Sequence, residues 1–306
     1  MNYVHSPVLV NEILSFLIKE EDRYFIDCTV GEGGHSEAIL NKFKNITVYG
    51  LDRDKNILSI AKERLKIFGT RFIPLNINFT DVDKLDIDFK FCSGLMDLGI
   101  SSYHYKVSEK GFTFLKDEKL DMRLSEDGLS VKEILNKYDF DRLVEIFYKY
   151  GEERFSKEIA KNIIKKRGIK PIETTFELVE IVERSVPKKF WPKNINVATK
   201  IFQALRIEAN NEIENIKIGL PKILSLIKKG GRLGVITFHS VEDRTVKEIF
   251  SYMKKECICP KEMPVCVCNK KKEIEIISKP IQPSSEEIKN NPASRSAKLR
   301  IVEKIV

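Results

Sequence analysis

The sequence predicts an α/β protein in which a Rossmann-like, mostly parallel sheet is interrupted by an all-helical domain. Two patterns lead to this prediction. Short apolar runs alternate with helix-like segments in the first third of the chain, as they do in doubly wound sheets. From about residue 117 to residue 209 the periodicity is only helical, and apolar runs resume at Gly231. We therefore assign residues 1–108 and 212–306 to the sheet domain and residues 109–211 to a helical insertion.

The composition indicates a folded protein with a full core, because 42% of the 306 residues are hydrophobic. The chain shows neither a run of about eighteen apolar residues nor a cleavable signal, which predicts a cytoplasmic protein without a membrane span. The formal net charge is +8 and the isoelectric point is about 9.0. This positive charge suits a polyanionic partner, and it equally suits an ordinary lysine-rich surface.

The first predicted strand runs into a loop that is dense in glycine. The apolar run that begins at Phe25 leads into Cys28-Thr29-Val30-Gly31-Glu32-Gly33-Gly34, and a helix is predicted from Ser36 to about Phe43. Glycine lets backbone N–H groups approach a ligand closely, and the amino end of a helix favours negative charge. This segment is therefore typical of a site for a nucleotide-like cofactor.

The second predicted strand, at 47–51, ends at an acidic residue. Asp52 follows the glycine loop by about twenty residues, at the place where a carboxylate can accept hydrogen bonds from ribose hydroxyls. The loop and the acid together predict a ligand that contains adenosine.

A helix is predicted at 56–68, and strands are predicted at 71–75 and 89–96. The last of these strands leads into Asp97-Leu98-Gly99. Ligands of doubly wound sheets lie at the carboxyl ends of strands, so we expect Gly31, Asp52 and Asp97 around one pocket. A structural alternative for Asp97 is to cap the turn or helix that follows it.

Helical periodicity in the middle of the chain predicts helices at 131–138, 141–150, 156–166 and 175–186. Alternating apolar runs then return at 231–238, 273–278 and 297–305. These later runs can complete the sheet that the first part of the chain began, which is why the helices are interpreted as an insertion.

The six cysteines do not form the framework of a disulfide-rich protein in a chain of this length. Cys28 and Cys92 lie in apolar runs and are predicted to be small core residues. The other four are Cys257, Cys259, Cys266 and Cys268, and they are candidates for a metal site. They form two Cys-x-Cys pairs, in which the spacing between the cysteines is shorter than is usual for metal ligands. Reduced thiols in a surface loop and a labile disulfide are the alternatives.

The glycine loop by itself leaves two cofactor classes open. Gly31-x-Gly33-x-x-Ser36 nearly satisfies the dinucleotide pattern, so an NAD(P)-dependent oxidoreductase is an alternative. The chain has no Tyr-x-x-x-Lys or other hydride-transfer constellation beside this loop. That absence favours a different reaction.

A series of separated motifs extends over nearly the whole chain. They are His5-Ser6-Pro7-Val8-Leu9, Gly31 to Ser36, Asp52-Arg53-Asp54, Asn78-Phe79, Asp97-Leu98-Gly99-Ile100-Ser101-Ser102, Gly111-Phe112-Thr113-Phe114, Leu120-Asp121-Met122-Arg123, Tyr150-Gly151-Glu152-Glu153, Phe202-Gln203-Ala204-Leu205-Arg206-Ile207, Phe238-His239-Ser240-Val241-Glu242-Asp243-Arg244, and Asn291-Pro292 with Ser294-Arg295-Ser296-Ala297-Lys298-Leu299-Arg300. In these motifs and in their order the chain resembles the ribosomal RNA small-subunit methyltransferase H family, also called MraW.

The resemblance implies a class I methyltransferase sheet and an S-adenosylmethionine-dependent enzyme that methylates N4 of a cytidine in 16S ribosomal RNA. It implies cofactor contacts at Gly33, Gly34, His35, Asp52, Phe79, Asp97 and His104. Phe79 is either a face on which adenine stacks or a core residue. The family commonly has Pro-Gln where this chain has Tyr103-His104, so an imidazole would replace an amide. A ribosome-assembly factor without catalytic activity is therefore a further alternative.

The reaction that the resemblance implies needs acceptors for the hydrogens of an amino group. The exocyclic amine of cytosine is a poor nucleophile, so hydrogen-bond acceptors must stabilise the positive charge that grows on its nitrogen. Asp97 and the backbone carbonyl of Leu98 are the candidates for this role. His239 is a further catalytic candidate, and the alternative for this side chain is a hydrogen bond to nearby backbone.

The expected partner is 16S ribosomal RNA or the small ribosomal subunit, and the chain is expected to be a monomer or a homodimer. The basic run that ends at Arg300 suits phosphate contacts, and a solvated surface strand is the alternative. Trp191 either stacks on RNA or anchors the insertion. The candidate RNA-binding residues are Arg206, Asn210, Arg295, Lys298 and Arg300.

Overall fold

The computed structural model of the protein describes residues 7–125, 128–260 and 265–306, so His5 and Ser6 of the first motif lie outside the described residues. The chain divides into two compact units, residues 1–101 with 213–306, and residues 102–212. None of the helices in these described ranges is long and apolar enough to cross a membrane.

A seven-stranded sheet forms the centre of the first unit. Its strands are β1 (Tyr24–Asp27), β2 (Thr47–Asp52), β3 (Phe72–Asn76), β4 (Phe91–Asp97), β5 (Ile227–Thr237), β6 (Ile274–Ile276) and β7 (Lys298–Lys304). They lie in the order β3-β2-β1-β4-β5-β7-β6. The first five strands are parallel, and β7 is antiparallel to both β5 and β6. The predicted α/β class is confirmed.

Helices precede, connect and follow these strands along the chain. They are α1 (Val10–Phe16), α2 (Gly34–Lys42), α3 (Lys55–Leu65), α4 (Ser102–Lys106), α5 (Val131–Lys137), α6 (Phe140–Lys149), α7 (Ser156–Arg167), α8 (Thr175–Ser185), α9 (Thr199–Asn210), α10 (Glu212–Leu226), α11 (Ser240–Met253) and α12 (Ser285–Asn290). Sequence periodicity alone identified neither α10 nor α11 as a separate helix.

The core of the first unit lies between the sheet and the helices α1, α2 and α3. Phe25 and Val48 project from neighbouring strands into this core, and Ile13, Ile39 and Leu58 reach it from the three helices. Each of these side chains is at most 1% exposed. Burial of one such side chain contributes about 1.5–3 kcal/mol. This layer therefore fixes the strand ends from which the glycine loop departs.

Cys28 and Cys92 are both buried, at 2% and 8% exposure, so their prediction as core residues is confirmed. Both lie in or beside central strands of the first unit. Neither belongs to the surface segment that contains the other four cysteines.

Three helices of the second unit, α5, α6 and α8, begin at side-chain caps. Ser130 and Thr174 each accept a hydrogen bond from the backbone three residues ahead and complete capping boxes with Glu133 and Glu177. Arg167 at the end of α7 donates to the carbonyls of Leu135 (2.7 Å) and Tyr138 (2.6 Å), which links α7 to the end of α5.

Candidate functional site

Three neighbouring strands of the sheet each end in an aspartate. Asp27 is the last residue of β1, Asp52 of β2 and Asp97 of β4, and β1 pairs in parallel with both of the others. Parallel strands present their carboxyl ends at the same edge of a sheet, where ligands of doubly wound folds lie. The fold thus places Asp52 and Asp97 at the same edge of the sheet, with Asp27 on the strand between them.

The glycine loop follows β1 at this edge. Gly31 and Gly33 have φ values of +53° and +85°, which residues with a Cβ rarely adopt. The backbone N–H of Gly31 donates to Asp52 Oδ2 at 3.0 Å, so the carboxylate at the end of β2 orients the loop. Among the residues that the structure describes, a Cβ added to Gly31 would meet only the Thr29 carbonyl, at 3.9 Å. The loop therefore leaves open space on this side for a ligand.

The helix after the loop begins closer to the strand than the sequence predicted. Gly33 caps α2, which starts at Gly34 rather than Ser36 because the positive φ of Gly33 turns the chain directly into the helix. A Cβ added to Gly33 would lie 3.0 Å from Leu65, and one added to Gly34 would lie 3.1 Å from Pro7. Both glycines thus allow close packing beneath the loop.

A buried polar cluster lies behind the loop. Ser36 Oγ donates to Asp27 Oδ2 at 2.7 Å, and His35 Nδ1 lies 3.7 Å from Asp97 Oδ2. His35 Nε2 is 2.8 Å from the carbonyl oxygen of Val8, which can only accept, so Nε2 carries the proton. Burial lowers the pKa of His35 and raises the pKa of Asp27 to about 6. Burial thus disfavours the charged form of both His35 and Asp27.

Two further hydrogen bonds join the loop after β1 to the end of β4 and the segment that follows it. Ser101 Oγ donates to Glu32 Oε1 at 2.7 Å, and the backbone N–H of Asp97 donates to Thr29 Oγ1, also at 2.7 Å. Glu32 is only 3% exposed. Residue-type reasoning missed Asp27, Glu32 and Ser101, although Asp27 shares with Asp52 and Asp97 the pattern of an acid that ends an apolar run.

Phe79 lies in a short 3₁₀ helix at Phe79–Lys84. A Cβ added to Gly219 in α10 would come within 2.2 Å of the Phe79 ring, so one side of the ring packs directly on the α10 backbone. The side chain is only half-buried. Stacking on adenine through the rest of the ring stays a prediction.

Leu98 and His239 follow neighbouring strands at the same edge. The N–H of Leu98 bonds to the carbonyl of Ile236 in β5 at 3.0 Å, which fixes the backbone direction after Asp97. His239 caps α11: its Nδ1 accepts from the N–H of Glu242 at 3.3 Å, and its Nε2 lies 3.1 Å from Glu242 Oε1. Both ring nitrogens of His239 therefore contact one buried glutamate.

The basic residues near the end of the chain differ in their contacts. Arg300 Nε donates to Asp243 Oδ1 at 2.7 Å, and Lys298 Nζ lies 3.3 Å from Asp243 Oδ2. Burial alone would raise the pKa of Asp243, but hydrogen bonds and charge from Arg300 and Lys298 hold it below its usual range. Arg295 is exposed in the 3₁₀ helix at Pro292–Ser296. Of these three residues, Arg295 is the exposed one, whereas Lys298 and Arg300 are half-buried.

The second unit contains two of the candidate RNA-binding residues. The Arg206 guanidinium forms a two-point ion pair with Glu212, with both N–O distances at 2.9 Å. Asn210 is buried, donates to the Met122 carbonyl at 2.7 Å and accepts from the N–H of Leu124 at 2.9 Å. These contacts give both side chains a role in holding the second unit together.

His104 and Trp191 also belong to the second unit. His104 is 6% exposed, and its ring lies 5.4 Å from the Phe112 ring, centroid to centroid. The indole N–H of Trp191 donates to the carbonyl of Val186 at 2.8 Å. This hydrogen bond agrees with the anchoring alternative for Trp191.

The polar groups around the glycine loop suit a ligand with a ribose and a positive charge. Each carboxylate oxygen can accept more than one hydrogen bond, so Asp52 can bind ribose hydroxyls in addition to the loop N–H. Asp27 and Asp97 lie close to the loop and would attract a cation such as a sulfonium. The same carboxylates would repel a pyrophosphate, which disfavours a dinucleotide in this place.

Residues 2–305 match the MraW methylase family. The protein named ribosomal RNA small subunit methyltransferase H of Finegoldia magna is 42% identical over 313 residues, and the alignment covers all of both chains. Its namesake from Caldicellulosiruptor saccharolyticus is 45% identical over 315 residues, with 99% of this chain and 100% of that protein covered. A third protein of this name, from Clostridioides difficile, is 42% identical over 312 residues. Because the match extends through the sheet unit and the helical unit alike, the chain belongs to the MraW methylase family.

Proposed function

We propose that this chain transfers a methyl group from S-adenosylmethionine to N4 of a cytidine in the 16S RNA of the small ribosomal subunit. The observation that carries the proposal is the group of three aspartate-ended strands around an open glycine loop, in a chain of the MraW methylase family. The names of its relatives specify ribosomal RNA of the small subunit. This function also accounts for a net charge of +8, which favours a polyanionic substrate.

The cofactor, when bound, supplies a methyl group that is activated by a positively charged sulfur. Asp52 is suited to bind the ribose hydroxyls, because it ends β2 beside the loop. The backbone at Gly33 and Gly34 forms the start of α2 and is suited to the carboxylate of the amino-acid part. His35 and Asp97 would line the same place, and we assign the adenine-stacking role to Phe79. His104 is assigned a cofactor contact by family resemblance.

Asp97 and Leu98 are proposed to orient the acceptor base. A methyl transfer from sulfur to nitrogen needs the N4 lone pair directed at the methyl carbon, and the amine becomes more acidic as the bond forms. The Asp97 carboxylate and the Leu98 carbonyl can accept the two amino hydrogens and so stabilise the charge on N4. The backbone that positions them is held by Thr29 (2.7 Å) and Ile236 (3.0 Å).

The helical unit and the basic residues are proposed to recognise RNA. A base in a stacked or paired context must be turned outward, which costs a few kcal/mol that protein contacts have to offset. Arg295 is exposed and available for phosphate. Arg206, Lys298 and Arg300 already pair with carboxylates, so a phosphate would have to compete with Glu212 or Asp243. Asn210 would act by shaping the backbone around Met122.

The substitution Asp97→Asn tests the proposed reaction. It preserves the shape of the side chain but removes its charge, and we expect methyl transfer at saturating cofactor to fall by about a hundredfold or more. Transfer of a labelled methyl group to small subunits purified from cells that lack the protein gives this rate. Mass spectrometry of the RNA identifies the modified base.

Asp86→Asn is the matched control, because Asp86 is an exposed carboxylate in the loop before β4. This variant should keep the wild-type rate. Calorimetry should show that the wild-type protein binds S-adenosylmethionine and not NAD. Undiminished methyl transfer by Asp97→Asn would contradict the role given to Asp97, and a product other than N4-methylcytidine would contradict the proposed reaction.

A further inference from the structure

Four cysteines lie together in the surface segment between α11 and β6, far along the chain from the glycine loop. We propose that Cys257, Cys259, Cys266 and Cys268, here called the cysteine cluster, bind one structural zinc ion. All four sulfur atoms lie within 4.8 Å of one another. The site would be separate from the chemistry of methyl transfer.

The distances within the cysteine cluster match a tetrahedral site. Cys257 and Cys266 are 3.4 Å apart at sulfur, Cys266 and Cys268 are 3.5 Å apart, Cys257 and Cys268 are 3.7 Å apart, and Cys259 and Cys266 are 3.9 Å apart. Four sulfurs that bind one zinc ion at about 2.3 Å in a tetrahedron lie about 3.8 Å from one another. A disulfide would instead need about 2.05 Å between two sulfurs. The arrangement therefore fits four ligands around one ion.

The unusual Cys-x-Cys spacing is compatible with this geometry. The sulfurs of Cys266 and Cys268 lie 3.5 Å apart, so a pair with one residue between its cysteines can offer two sulfurs to one centre. Backbone N–H groups also point at the sulfurs: Ile258 at Cys268 (3.4 Å), Cys259 at Cys257 (3.3 Å) and Val267 at Cys259 (3.5 Å). Such second contacts orient ligands and favour the thiolate over the thiol.

The segment that contains the cysteine cluster has little apolar packing of its own. Its larger apolar side chains are exposed, at 45% for Ile258, 70% for Val265 and 63% for Val267. The described residues between α11 and β6 form no helix or strand, and the segment closes where the N–H of Glu273 donates to the Met253 carbonyl at 2.9 Å. Ordering a loop of this length costs conformational entropy, which the burial of a core would normally offset. A metal ion would supply the missing cross-link.

Zinc is the metal that this ligand set favours. Four thiolates in a tetrahedron are typical of zinc or of iron–sulfur chemistry, and a cluster would need its sulfurs further apart because they bind different irons. Four protein ligands also leave no open position for water or substrate, which is the mark of a structural rather than a catalytic zinc site. The ion would therefore stabilise the segment without taking part in a reaction.

Metal analysis of the full-length protein tests the proposal. Protein purified with reductant and supplied with zinc should retain about one zinc ion per chain after gel filtration. Cobalt should replace zinc and give the strong visible absorption of a tetrahedral thiolate site. The double variant Cys257→Ser with Cys268→Ser removes one ligand from each pair and should lose both signals. Cys92→Ser, which changes a buried cysteine outside the cluster, should retain them.

Limited proteolysis provides a second measurement that does not depend on the variants folding. The segment is flanked by trypsin sites at Lys254, Lys255, Lys270, Lys271 and Lys272. Removal of zinc from the wild-type protein by a chelator should make cleavage here faster, and added zinc should restore protection. Wild-type protein with six reduced thiols that retains no zinc would overturn the proposal. One bound iron instead of zinc would overturn the choice of metal.

Discussion

Asp27 is a buried carboxyl group beneath the glycine loop, and its surroundings predict a pH effect. Burial raises its pKa to about 6, against the opposing effects of His35 and Ser36. In the unfolded chain this carboxyl titrates near 3.8. Between these values the folded protein binds more protons than the unfolded chain, so the contribution of Asp27 to stability is largest below about pH 4 and is lost as the pH rises through about 6.

The substitution Asp27→Asn should remove this dependence, because the amide oxygen can still accept from Ser36 but does not ionise. As the pH rises from about 4 to about 7, we expect the free energy of unfolding of the variant to increase by roughly 2–3 kcal/mol relative to that of the wild type. Urea unfolding of both proteins at several pH values measures the difference. A difference that stays constant over this range would show that Asp27 titrates normally.

The contacts of His239 allow its capping and catalytic roles to be separated. Asn is a good helix cap, so His239→Asn should keep the free energy of unfolding close to wild type, whereas His239→Ala should lose about 0.5–2 kcal/mol. Both ring nitrogens already contact Glu242, so we expect His239→Asn to keep most of its methyl-transfer activity. Chemical denaturation and a methyl-transfer assay measure the two effects. Loss of activity in a stable His239→Asn protein would support the catalytic role predicted from the motif.

The connection after β4 depends on close packing at one glycine. A Cβ added to Gly99 would lie 2.6 Å from the Phe238 ring, which follows β5. Gly99→Ala should therefore displace the segment after Asp97, cost about 1–3 kcal/mol of stability and reduce methyl transfer more than cofactor affinity. Thermal unfolding, calorimetry and the methyl-transfer assay provide the three measurements.

Gly168→Ala is a suitable control for Gly99→Ala. Gly168 ends α7 with a negative φ, and no described atom would lie closer than 3.5 Å to an added Cβ. We expect the free energy of unfolding of the Gly168→Ala protein to change by less than about 0.5 kcal/mol or to increase slightly. Equal destabilisation of both variants would argue against a specific clash between residue 99 and the Phe238 ring.

Among the secondary-structure elements, periodicity identified the early strands and most helices of the second unit to within a few residues. It gave no sign of α10 and α11 as separate helices. Pro221 lies inside α10, and a proline normally indicates a break. α11 is capped by His239 rather than by Ser, Thr, Asp or Asn, so the usual start signal is missing. Tertiary packing maintains α10 in spite of Pro221, and the imidazole of His239 takes the place of the usual polar cap at the start of α11.

The whole molecule consists of two compact units, of which one is formed from two separate stretches of chain. β4, in the first stretch, pairs in parallel with β5, in the second. Apolar runs resume after the long helical stretch, and this pattern predicted that the second stretch of chain adds strands to the same sheet. The pairing partners of β5 and β7 depend on contacts between residues far apart in sequence, which periodicity does not report.

Local sequence by itself determined the α/β class, the glycine loop, and two of the three aspartates at strand ends, because glycine conformation and apolar period are properties of neighbouring residues. The motifs determined the family. Only the tertiary structure decided that Asp27 accepts from Ser36 and Glu32 from Ser101, that Lys298 and Arg300 pair with Asp243, and that four sulfurs converge within 4.8 Å. Such contacts join residues that the chain separates, so they exist only after the sheet and its connecting loops have formed.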